Sequence, residues 1–317
     1  MSWKRRQKMA NCYFCYNEVE ENRGYHKKCC KKFFGTDKLP EFKLDQQMLQ
    51  NLAEETVNKR IAVTGVQPKL SLDLENIPAG KRLTIVGLQG KYILKPQNAE
   101  IAFMPEVEDL TMHLAEIFKI KTCDHCLIPI SDGGPAYVAK RFDRKGKAKI
   151  HMEDFCQLGG FQTEQKYDSS YERCGKLINL YCTNKGLDVL NYFELLVFSF
   201  LSGNSDMHMK NFSILYSGDQ IILSPAYDLI NSSLIFPDDK DDVALFLSGR
   251  KRNIKRKDFE NLAVSIGLSD KVCQRVISKF VNTPHSFFDT IHRSFLHEEH
   301  KEEYIRIWLS RANRLIS

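Results

Sequence analysis

The chain has 317 residues, 43% hydrophobic and 27% charged, with a net charge of +6 and ten cysteines. That is room for two domains or one two-lobed unit of ordinary globular composition. No stretch reaches the ~20 apolar residues of a membrane span, so no membrane role is expected. The basic segment Met1–Met9 is followed by no apolar run, unlike a secretory signal. A cytoplasmic protein follows, with cysteines held as thiols or metal ligands rather than disulfides.

In chain order, residues 1–36 form a Cys/His module. It contains Cys12-Tyr-Phe-Cys15, His26 and the pair Cys29-Cys30. Two cysteines at C-x-x-C spacing with a histidine and a third cysteine suit tetrahedral zinc, taking either Cys29 or Cys30 as the fourth ligand. Residues 37–60 read as a linker and a helix. Strands follow at 69–74, 83–86 and 92–94, where side chains alternate and Gly87 and Gly90 bracket a turn; they are expected to form an antiparallel meander. A helix is expected over 105–118, with Pro105 in its first turn and acids behind it. Strands at 127–130 and 136–139 complete this sheet. Beyond 150 the apolar spacing is helical at 171–181, 189–201, 256–266, 270–281 and 298–315, interrupted by a hairpin over 212–223. Cys123 and Cys126 lack a second ligand pair and read as packed thiols. The basic run at 250–257 has no interleaved aromatics and reads as a solvated loop entering a helix.

The segment from Ser202 to Ile214 carries the most chemistry. Asp206 and Asn211 have the D-x-x-x-x-N spacing of a protein-kinase catalytic loop, and Asp228 follows in Pro225-Ala-Tyr227-Asp228. Phosphoryl transfer needs such groups because its transition state spreads charge over phosphate oxygens.

Six segments in order, Gly65–Lys69, Tyr92–Pro96, Ala139–Arg144, His151–Phe155, Ser205–Asn211 and Pro225–Asp228, resemble the HipA-like Ser/Thr kinases, the toxins of bacterial toxin–antitoxin pairs. The resemblance covers about residues 60–310. It implies an α+β, two-lobed protein-kinase-like fold: an N-lobe with a small antiparallel sheet at 37–143 and a larger all-helical C-lobe at 144–317. By resemblance, ATP and Mg²⁺ are the cofactors, Asp206 is the general base, and Asn211 and Asp228 hold the metal. Thr64, Gly65, Val66, Gln67 and Lys69 line the phosphate loop, and Lys95 binds phosphate, oriented by Glu106 or Glu108. Lys140 and Phe142 stand at the adenine hinge, while His208, Lys210 and Tyr227 lie beside the nucleotide, His208 with loop packing as its other role. Ala62 stands where some relatives carry an autophosphorylated Ser, which leaves Thr64 as the nearby hydroxyl for that role.

The long family form has a further N-terminal subdomain. Here a Cys/His module stands in its place, so the chain resembles the short HipT form, whose missing subdomain is a separate protein. Expected partners are therefore a small companion protein, an antitoxin with a DNA-binding helix-turn-helix, and a protein substrate such as an aminoacyl-tRNA synthetase. Two other readings stay open from the residues alone: a kinase of this superfold acting on a lipid or small-molecule hydroxyl, and a non-catalytic nucleic-acid-binding regulator.

Overall fold

A computed structural model describes residues 10–20, 23–42, 69–87, 89–98, 101–130, 134–146 and 148–316. The chain forms two compact units. The first comprises residues 1–109, 124–141 and 293–296; the second comprises 110–123, 142–292 and 297–317. Among the described residues no helix is long and apolar enough to cross a membrane.

In the first unit, strands β1 (Ala10–Asn11) and β2 (Glu18–Val19) pair around the Cys12–Cys15 turn and lead to helix α1 (Lys27–Phe34). Helix α1 ends at Gly35, whose φ of 69° is the left-handed conformation glycine adopts without a Cβ penalty. Strands β3 (Leu70–Ile77), β4 (Gly80–Ile85), β5 (Tyr92–Lys95), β6 (His125–Ile130) and β7 (Gly134–Lys140) form one sheet in the order β4-β3-β5-β7-β6, every pair antiparallel. The expected meander is corrected here: β5 pairs with β3, not with β4. The chain crosses back over β3 to get there. Ser71 Oγ donates to the Gly87 carbonyl at 2.8 Å and accepts from the Gly90 N–H at 3.2 Å. A Cβ on Gly90 would lie 2.4 Å from Ser71 Oγ and 2.6 Å from the Leu72 carbonyl, so only glycine fits this crossing.

Leu70, Leu72, Leu94, Ile128, Ala136 and Val138 point to one buried face of this sheet. Phe14, Cys30, Phe33 and Phe34 of the Cys/His module lie in the same cluster. The period-2 pattern of β3, β5 and β7 thus buries one apolar row, and the module covers it. Helix α2 (Met104–Ile117) follows β5. Its residues to Asp109 belong to this unit and the rest to the second.

After α2, the second unit continues with the small hairpin β8 (Arg144–Lys145) and β9 (Ala148–Lys149). Strand β10 (Met152–Asp154) joins β11 (Ser213–Ser217) and β12 (Gln220–Leu223) in a three-stranded antiparallel sheet. The remaining elements are helical: α3 (Phe155–Leu158), α4 (Tyr171–Tyr181), α5 (Lys185–Leu201), α6 (Ser232–Ile235), α7 (Arg256–Ser265), α8 (Asp270–Val281), α9 (His285–Arg293) and α10 (Glu298–Ile316). Side-chain oxygens of Ser170, Asn184 and Ser269 accept the first free N–H groups of α4, α5 and α8, which fixes where these helices start. Helix α5 is exposed at its start, over 185–187, whereas Tyr192, Phe193 and every residue from Leu195 to Leu201 are buried. Phe198, on α5, packs with Phe118, Phe280 and Trp308, and Phe118 stacks on Trp308 with centroids 5.5 Å apart.

Candidate phosphotransfer site

The catalytic-loop segment leaves the C-terminus of α5. Gly203 makes the turn at φ 79°, and a Cβ there would meet Asn231 Oδ1 at 2.4 Å. The loop is then pinned residue by residue. The Asp206 N–H donates to Asn204 Oδ1 (3.1 Å), and the Ser205 N–H to Ser232 Oγ (2.6 Å). Tyr171 OH donates to the Met207 carbonyl (3.0 Å). A short 3₁₀ turn at Met209–Asn211 then feeds β11.

This scaffold separates two neighbouring polar residues by exposure. Asp206 is exposed, at the loop tip, and accepts a hydrogen bond from Tyr167 OH at 2.5 Å. Burial and the adjacent Asp206 charge push the Tyr167 phenol pKa well up, so Tyr167 stays a donor. Asn211 is buried, and among the described residues its Oδ1 has no hydrogen-bond partner. A buried amide oxygen without a partner costs about 1–3 kcal/mol and is a donor atom of the hard kind that magnesium takes.

Asp228 reaches this loop through its neighbour. Tyr227 OH donates to the Lys210 carbonyl (2.8 Å) and bonds Ser213 Oγ (2.6 Å), which ties the residues preceding Asp228 and Asn211 together. Asp228 itself has φ 59°, a left-handed conformation uncommon for a residue with a Cβ, though Asp tolerates it better than most. The ring of Phe142 lies 5.6 Å from that of Tyr227. Lys210 Nζ bonds Asp154 Oδ2 at 2.7 Å. His208 is buried with its ring edge-on to Tyr167 at 5.1 Å.

In the first unit Lys95 is 5% exposed, and its Nζ lies 2.6 and 2.7 Å from the two carboxylate oxygens of Glu108. Of the two acids the sequence offered, Glu108 is this partner; the Glu106 oxygens receive Gln97 Nε2, both at 2.8 Å. Lys140 ends β7, and the division between the units falls between Arg141 and Phe142. Lys69 is exposed just before β3, while Thr64, Gly65, Val66 and Gln67 lie outside the described residues. Sequence reasoning missed Tyr167, which belongs to no motif and meets Asp206 across 39 positions of chain.

The HipA-like C-terminal domain family matches residues 61–286. The candidate kinase Y4dM of Sinorhizobium fredii is 32% identical over 230 residues, which are 67% of this chain and 55% of that protein. The Ser/Thr-protein kinase toxin HipA of Shewanella oneidensis is 26% identical over 194 residues, 54% of this chain and 43% of that protein. Among solved structures, the Shewanella oneidensis HipA, HipB and operator DNA complex has a chain of TM-score 0.68 and 21% identity. That alignment covers 83% of this chain and 71% of that one. The chain thus shares that fold while spanning about half the length of the curated relatives it matches. By the extent of the matched segment, it belongs to the HipA-like C-terminal domain family of kinase-related proteins.

Proposed function

We propose that the chain is an ATP- and Mg²⁺-dependent Ser/Thr protein kinase of HipA type. The observation that carries this reading is the loop in which an exposed Asp206 precedes a buried Asn211 whose amide oxygen lacks a partner among the described residues. Asn211 and Asp228 would hold Mg²⁺, and Lys95, oriented by Glu108, would hold phosphate oxygens. Bound Mg-ATP supplies the transferable phosphoryl group and neutralises its charge. Asp206 accepts the proton of the acceptor hydroxyl. For that to happen the hydroxyl must reach a carboxylate oxygen of Asp206, whose Oδ1 accepts from Tyr167 OH. His208 packs the loop, and Lys210, held by Asp154, keeps a cation beside it. Lys140 and Phe142 are assigned to the adenine hinge and Thr64–Lys69 to the phosphate loop, with Thr64 as a site of self-phosphorylation.

The kinship with a Ser/Thr-kinase toxin supports the choice of acceptor, and the likeness to a chain solved with an antitoxin and operator DNA supports a DNA-binding antitoxin partner. A small companion protein and a translation factor such as an aminoacyl-tRNA synthetase complete the proposal. The test is incubation of the purified chain with labelled Mg-ATP and a cell lysate, alongside Asp206→Asn and Thr64→Ala, with intact mass spectrometry of the chain itself. Label on a discrete protein, lost in Asp206→Asn, is the expected result. Equal labelling by Asp206→Asn, or label confined to lipid, overturns it.

A further inference from the structure

The kinase reading does not use the Cys/His module, yet the module gathers a compact cluster of soft ligand atoms. The Sγ atoms of Cys12, Cys15 and Cys29 and a ring nitrogen of His26 all lie within 4.8 Å of one another. Cys15 Sγ is 3.5 Å and Cys29 Sγ 3.8 Å from His26 Nδ1. Tetrahedral zinc, with bonds of about 2.3 Å to sulfur and about 2.05 Å to nitrogen, sets S···N edges of about 3.6 Å and S···S edges of about 3.8 Å. The two measured edges bracket that value.

The surroundings are those of a metal knuckle. The chain turns tightly after Cys12, where the Tyr16 N–H donates to the Cys12 carbonyl (2.9 Å) and Tyr16 takes a φ of 57°. The His26 N–H points at Cys12 Sγ (3.4 Å), and N–H donors to sulfur favour the thiolate. The other ring nitrogen of His26, Nε2, lies 3.0 Å from the Glu18 carbonyl. A proton held on Nε2 by that carbonyl leaves the Nδ1 lone pair facing the three sulfurs, as in metal-bound histidines. Helix α1 places the last two candidates on opposite sides: Cys29 faces the cluster, whereas Cys30 is fully buried in the sheet core.

We infer that Cys12, Cys15, His26 and Cys29 form a structural Zn²⁺ site, with Cys30 a core residue and not a ligand. Three sulfurs and one nitrogen in a closed tetrahedron favour zinc over harder ions and leave no open position for catalysis. The site has a structural purpose within its unit. Tyr16, at the knuckle's turn, donates to Asp109 Oδ2 at 2.7 Å, and Asp109 Oδ1 pairs with His125 Nδ1 at 2.7 Å. The metal therefore braces the residue next to Glu108 on α2.

The experiment is elemental analysis of the purified full chain, with cobalt exchange of the wild type read by absorption. Expected are one zinc per chain, tetrahedral cobalt–thiolate bands after exchange, loss of the metal in Cys29→Ser, and its retention in Cys30→Ala. Wild type with little zinc, cobalt protein without tetrahedral bands, or Cys29→Ser keeping its zinc while Cys30→Ala loses it would each overturn the assignment. The cobalt spectrum is decisive even if a variant fails to fold.

Discussion

Glu108→Gln is the sharpest perturbation of this chain. It keeps the shape of the side chain and removes the charge that lies 2.6 and 2.7 Å from Lys95 Nζ. Both side chains are almost wholly shielded, at 6% and 2% exposure, so water cannot take the place of the lost carboxylate. Breaking a buried pair from one side costs about 3–5 kcal/mol, which in a unit of this size lowers the transition temperature by roughly 6–20 °C. Lys95→Met removes the cation instead and should cost a similar amount. The double variant Lys95→Met, Glu108→Gln leaves neither charge buried alone, so it should fall short of the summed single costs by about 2–3 kcal/mol. Calorimetric or denaturant unfolding of the four proteins measures this directly. Costs that add to within about 0.5 kcal/mol would refute the claim that the two groups form a coupled buried pair. Both variants that lack Lys95 should lose phosphoryl transfer, because restored stability does not restore a phosphate-binding cation, and Glu108→Gln should lower it by leaving Lys95 without the carboxylate that orients it.

Tyr167→Phe removes the hydrogen bond that Tyr167 OH donates to Asp206 Oδ1. It should raise kcat/KM for the protein acceptor by about tenfold, the low end of the ~1.5–3 kcal/mol of a hydrogen bond to a charged group, with the KM for ATP unchanged; a tenfold fall would show that Tyr167 orients the base. Gly90→Ala forces a Cβ into the Leu72 carbonyl and should cost about 1–3 kcal/mol. Gly87→Ala, where a Cβ would meet nothing within 4 Å, is the near-neutral control in the same unfolding assay. For Asp242, burial raises the carboxyl, but hydrogen bonds and charge from Arg314, with the Ile254 N–H and Arg311, hold it below the usual range. A depressed folded value means its stabilisation is present above the unfolded pKa of about 3.9 and lost as pH falls through the folded one. Asp242→Asn should therefore lower stability at neutral pH and flatten the loss of stability below about pH 5, as read by thermal unfolding across pH.

Local pattern carried much of this structure and none of its long-range pairing. Helices α4, α7, α8 and α10 follow the apolar spacing of the sequence closely, because each packs one stripe against a core. The partner of β5 was not legible: alternation says which face of a strand is buried and is silent on its neighbour, and here a glycine crossing decides it. Strand β10 was missed because three residues carry no period, and α1 because its cysteines and lysines resemble a ligand loop. That omission left Cys29 and Cys30 equivalent, since which of the two meets the cluster depends on the rotation of α1 about its axis. Asp206, Asn211 and Asp228 were singled out by spacing and resemblance, whereas Glu108 could be told from Glu106 as the acid beside Lys95 only once α2 had a rotation.

The shared core beneath the cysteine knuckle bears on how this protein can be handled in the laboratory. Trimming the gene to the family-matched stretch 61–286 would strip Phe14, Phe33 and Phe34 from Leu70, Leu94 and Val138, and Trp308 from Phe118. Each unit would lose a wall of its interior and gain a sticky apolar face. The segment that sequence families recognise is thus smaller than the piece of chain that can fold, and expression of that segment alone should yield aggregates.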